Sequence, residues 1–208
     1  VHAAPQEVLQ FWFGSRPYTR DSLHRHARLW FPEAVVPELV AQADELIRER
    51  FGATMLAAQD GALAAWESTP RRRLALILLL DQFPRHVHRG SGLAYSHDHA
   101  ALALALSGMQ FGADAALHPI ERMFFYTPLM HAESLEVQEE SVAAFRRLRS
   151  ETPAELADVL GRGFEYARLH QDVVRRFGRF PDRNAVLGRA STELEMAWLA
   201  LDGERLGP

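Results

Sequence analysis

Leu74-Ala75-Leu76-Ile77-Leu78-Leu79-Leu80 is apolar on every side of a helix, and Pro70 stands just ahead of it as a helix opener. A helix without a polar face must be surrounded by other elements, so this segment belongs at the centre of the fold. Apolar residues recur at three- and four-residue intervals along most of the chain. Val36, Leu39, Val40, Ala43, Ile47 and Phe51 make one such stripe, and no strictly alternating stretch reads as a sheet. The expected fold class is therefore all-α, a helical-hairpin bundle or stack of about eight to ten helices with short connections. At 208 residues the chain is expected to form a single all-helical domain over residues 1–208.

Punctuation places the helices. Pro5 to Phe13 is a short apolar helix closed by Gly14, Asp21 caps a helix through Phe31, and Pro32 interrupts it. Asp60-Gly61 breaks the next helix, and Pro84 stops the central one by restricting Phe83. Ser96 is the expected N-cap for Asp98 to Gln110. Pro119 suits the first turn of a helix that Pro128 kinks or ends. Ser134 opens a helix to about Arg149. Thr152-Pro153-Ala154-Glu155 reads as a capping box for a helix running to about Phe177, and Thr192 opens a final helix ending before Gly203.

Composition excludes several chemistries. The chain has no cysteine, which removes disulfides, thiolate zinc sites and Cys nucleophiles. All 23 basic residues are Arg, so Schiff-base catalysis and the lysine of a phosphate-binding loop are absent too. A net charge of −4 argues against a general nucleic-acid binder. No apolar run approaches the roughly 20 residues of a membrane span, and no signal pattern opens the chain, so the expected setting is cytoplasmic with no membrane partner. Charge is nevertheless uneven. Between Arg162 and Arg189, arginines outnumber the acids Glu165, Asp172 and Asp182, which fits either complementary internal surfaces or a site for an anion.

Three stretches set ionisable groups beside apolar anchors, where they must be paired or used. They are Asp81-Gln82-Phe83-Pro84-Arg85 running to Arg89-Gly90, Pro128 to Glu133, and Arg176 to Asn184. Asp81 follows Ile77 and Leu78 at helical spacing and meets an unfavourable dipole at the helix end, so it needs a partner such as Arg85 or Arg89. His131 beside Glu133 suits a general base or a metal ligand, or else a satisfied histidine at a helix–helix junction. Gly163, Ala167, His170 and Val174 share one helix face, which buries His170. Arg179 and Arg183, with Asn184 and Arg189 beyond, can present guanidinium groups to phosphate or carboxylate, or tie the chain to helix termini. His86 with His88, and His97 with His99, are two apart and diverge on a helix, so no metal site is expected.

These segments, with Phe11-Trp12-Phe13-Gly14, Trp30-Phe31, Asp98, Pro119-Ile120-Glu121-Arg122 and Leu187-Gly188-Arg189, resemble the bacterial "domain of unknown function 924" family over nearly the whole chain. The resemblance implies tetratricopeptide-like helical hairpins, although no fixed period reads through the sequence. It supplies no activity. His86 stands where the family pattern has Asn, Leu129 and Ala132 where it has Phe and Ser, and Asp182 where it has His.

The functional expectation is a pocket for a small anionic molecule. Asp81, Arg85, Arg89, Arg179, Arg183 and Asn184 would bind or orient it, and His131, Glu133 and His170 would supply acid–base or hydrolytic chemistry. No cofactor is specified by the residues. The competing expectation is a tetratricopeptide-like scaffold for a protein partner, its polar motifs serving as internal braces.

Overall fold

The structure, a computed structural model, describes residues 2–31 and 36–201. Among these residues it is all-α. The elements are α1 (Pro5–Phe13), α2 (Arg20–Trp30), α3 (Pro37–Gln59), α4 (Pro70–Leu80), α5 (Gln82–Val87), α6 (Asp98–Gln110), α7 (Pro119–Met130), α8 (Leu135–Glu151), α9 (Ala157–Leu160), α10 (Arg162–Phe177) and α11 (Glu193–Leu201). Short 3₁₀ turns at Gly92–Tyr95 and Pro181–Arg183 matter for the site. Pro32 and Gly203 lie outside the described residues. Within them, no helix is long and apolar enough to cross a membrane.

α4 occupies the centre, as its apolar sequence requires, with Leu74, Ala75, Ile77, Leu78 and Leu79 sealed from solvent. Around it pack α1, α3, α6 and α7, and α7, α8 and α10 continue outward as successive neighbours. Trp12, Phe83 and Phe124 meet beside α4 with ring centroids 5.4–5.6 Å from Trp12, in tilted and edge-to-face contacts. A second apolar cluster lies apart from this core. It joins Val173 and Val174 of α10 to Phe180 and to Trp198 of α11, with Phe177 and Leu199 at its edge.

Several helix boundaries differ from the sequence expectation, each for a local reason. Thr19, not Asp21, caps α2, its hydroxyl accepting from the Ser22 N–H at 3.2 Å. Ser96 donates back to the Leu93 carbonyl (2.9 Å), which leaves His97 at the cap position of α6. Thr152 likewise donates to the Leu148 carbonyl of α8 (2.7 Å) rather than capping the next helix. The chain then makes a 3₁₀ turn at Ala154–Leu156 and the short α9, and the long helix starts only at Arg162. Pro128 lies inside α7, which ends two residues later. Pro84 does not stop α4 directly but sits in the first turn of α5. A continuous helix would drive its ring into the carbonyl of Leu80, so the break falls at Asp81 instead.

Candidate functional site

That break positions the most buried acid of the site. Asp81 follows the last residue of α4 with no exposed surface. Its Oδ1 accepts from Nδ1 of His131 at 2.7 Å, and its Oδ2 accepts from Gln82 (2.6 Å) and from the Thr127 hydroxyl (3.3 Å). His131 comes from the end of α7, which runs alongside α4. Burial pushes the Asp81 carboxyl up, but His131 and Arg85 beside it outweigh that and hold it well below the usual carboxylate range. Burial, with Arg85 adding, holds the His131 imidazole below its ordinary value despite the pull of Asp81. At neutral pH the pair is therefore a carboxylate facing a neutral imidazole that carries its proton on Nδ1. Among the described residues the His131 Nε2 has no hydrogen-bond partner.

Arg85 spans the next layer. Nη1 donates to the Asp81 carbonyl (2.6 Å), and Nη1 and Nη2 grip Asp98 at 2.8 Å each. Burial would lower its pKa, but Asp81 and Asp98 more than reverse that. Asp98, in the first turn of α6, also meets Arg183, which donates to it at 3.4 Å and to the His131 carbonyl at 3.1 Å. The Arg183 guanidinium lies against the rings of Phe180 and Tyr95, 4.4 Å and 4.6 Å from their centroids. Its pKa is lowered, by burial first and then by Arg85, so this cation is less compensated than Arg85. Its Nε and Nη2 make no hydrogen bond among the described residues.

His170 completes the buried group. It sits on the face of α10 shared with Gly163, Ala167 and Val174, all buried. Its Nδ1 donates to the Tyr166 carbonyl (2.8 Å), and its ring lies 6.3 Å from that of His131 and 5.4 Å from that of Phe180. Burial, then His131, pushes it down to about 3.

Asp81, Arg85, His131, His170 and Arg183 thus come together from four separate helices and the Pro181–Arg183 turn. Of the remaining expected residues, Arg89, Arg179 and Asn184 do not join them, and Glu133 reaches only the side of the group. Arg89 grips Asp44 of α3 with two hydrogen bonds (2.9 and 3.0 Å), and His86 holds the same carboxylate at 2.7 Å. Arg179 is clamped on Glu195 (2.7 and 2.8 Å), and Asn184 donates to Ser191 (3.0 Å). Glu133 accepts from the Phe180 N–H (2.7 Å) and from both ends of Arg189 (2.6 and 2.9 Å), so it anchors the loop rather than orienting a histidine. Sequence reasoning missed Tyr95 as a platform and Asp98 as the acid shared by two arginines. An acid in the first turn of a helix is favoured there for ordinary reasons, and nothing in the sequence marks Tyr95.

A cavity of about 390 Å³ opens over this group. His131, Asp98, Arg183 and Tyr95 reach it, with Glu133 at its side and Leu102, Pro128 and Leu187 among its walls. Asp81 and His170 lie behind the lining. No cluster of three or more His, Asp or Glu suited to a metal occurs among the described residues.

The model of a bacterial protein family of unknown function, domain of unknown function 924, matches residues 8–203. The chain belongs to this family. Its fold is also similar to a solved structure, the protein of unknown function ATU0120 from Agrobacterium tumefaciens. The two are 30% identical with a TM-score of 0.72, covering 94% of this chain and 96% of that one. No curated protein matches. The family match spans the Asp81, Asp98, His131, His170 and Arg183 positions alike.

Proposed function

We propose that this member of the domain of unknown function 924 family binds a small anionic molecule in the cavity over His131 and Arg183, with Asp81 and His131 acting there as an acid–base couple. One observation carries the reading: a guanidinium with unfilled donors and an imidazole tied through Nδ1 to a buried carboxylate reach the same cavity. A volume of about 390 Å³ falls within the usual span for small-molecule sites. The dyad geometry fixes the tautomer that leaves Nε2 as a base, a device worth roughly 10²–10⁴-fold in rate. The depressed pKa of His131 keeps that nitrogen unprotonated at neutral pH.

Thermal-shift and calorimetric titration of carboxylated and phosphorylated metabolites tests this. Stabilising compounds should lose at least tenfold in affinity with Arg183→Ala. His131→Gln should keep binding while abolishing any turnover. A panel without a single stabilising compound, or one indifferent to Arg183→Ala, ends the reading.

A bracing role has its own support for the other arginines. Arg85, Arg89, Arg179 and Arg189 each hold a carboxylate with two hydrogen bonds, so their charge is already spent inside the fold. Arg183 is the exception that makes the cavity different.

A further inference from the structure

The balance of charge around the cavity restricts what can enter it, on the reading that an anion binds there. Asp81 and Asp98 face Arg85 and Arg183, two acids against two guanidiniums, and His131 is neutral. Glu133 and Arg189 cancel in the same way at the side. A phosphate monoester carries about −1.5 to −2 at pH 7. It would meet Asp98 and Glu133 with only one incompletely filled guanidinium to receive it. A carboxylate brings a single charge and two coplanar oxygens. The Arg183 guanidinium lies against Tyr95 and Phe180, and its Nε and Nη2, without hydrogen bonds among the described residues, match the two oxygens of such a group.

The rest of the lining is mixed: Gly92, Ser96, His99 and Ser134 stand beside an apolar side. Leu102 of α6, Pro128 and Ala132 around the end of α7, and Leu187 of the loop beyond the Pro181–Arg183 turn face the space. A ligand consisting only of charged and hydroxylated groups would leave these walls wet and lose contacts on that side. An apolar body removes both penalties.

We propose that the ligand is a monocarboxylic acid with an apolar body, its carboxylate on the free edge of Arg183 and its hydrocarbon against Leu102, Pro128 and Leu187.

The test is calorimetry with straight-chain monocarboxylic acids of increasing length, the matching primary amides, and alkyl phosphates of the same lengths. Wild type, Arg183→Ala and Leu187→Ser are compared, the last at an exposed position. Affinity should rise about fourfold per added methylene until the cavity is full. Amides should bind at least tenfold more weakly than acids, and phosphates more weakly than acids. Leu187→Ser should flatten the dependence on length. Phosphates that bind as tightly as acids, amides that match acids, or affinities flat in chain length would overturn this ligand class. Phosphate binding that still depended on Arg183 would leave the anion site itself standing. Failure of every acid, amide and phosphate to bind would remove both.

Discussion

His170 shows how a single side chain ties the site to the stability of the fold. Its Nδ1 is committed to the Tyr166 carbonyl, and burial holds the ring neutral, with a pKa of about 3 against an ordinary value of 6.5. A depressed histidine pKa means the unfolded chain takes up a proton that the folded one refuses. Its contribution is therefore complete above about pH 6.5 and declines as pH falls towards 3. Chemical denaturation between pH 7 and pH 4 should show stability dropping by up to about 1.4 kcal/mol per pH unit from this group. His170→Gln, of similar size, should lower stability at pH 7 and make the remaining slope shallower. An unchanged slope would show that the imidazole titrates freely in the native state. The arginines carry a different lesson at this scale. Sequence identified Arg85, Arg89, Arg179 and Arg183 as equals, because each stands beside apolar anchors. What separates them is the partner, and for two of them it lies far along the chain: Asp44 is 45 residues from Arg89, and Asp98 is 85 from Arg183.

At the level of helices, α6 and α7 approach closely where Gly108 meets Phe125. A β-carbon on Gly108 would come within 2.5 Å of the Phe125 ring and 2.9 Å of the Arg73 side chain. Phe125 is wholly buried and has no room to retreat. Gly108→Ala should therefore cost about 1–3 kcal/mol, read as a lower denaturant midpoint at constant slope. A gain in stability, as expected for alanine in an open helix, would contradict this packing. Most helices were legible because their apolar spacing is strong, and α4 is central for the reason its sequence implies. Boundaries were misread where a hydroxyl had two choices. Ser96 and Thr152 bond backwards to the preceding turn, and a residue pattern does not distinguish a side chain that closes one helix from one that opens the next. The site was legible in part by the same logic. Asp81 and His170 were recognisable as buried from helical spacing, whereas the cavity depends on how α6, the end of α7 and the Pro181–Arg183 turn are set against one another.

Across the whole molecule, two apolar clusters divide the work. The large one, built around α4, Trp12 and Phe124, holds Asp81 and His131 in place. The small one, with Val173, Val174, Phe180 and Trp198, supports the segment that delivers Arg183. Clamps by Arg189 on Glu133 and Arg179 on Glu195 fasten this segment at both ends. Trp198→Ala removes the largest side chain of the small cluster and should loosen residues 178–201 far more than the rest. Hydrogen exchange should accelerate there at least tenfold while α4 and α7 keep their protection. Uniform acceleration across all helices would mean the clusters unfold as one. If they are separable, the division has an evolutionary meaning: drift in the residues beneath the arginine-bearing strap can retune how tightly a guest is held while the melting temperature stays where it was.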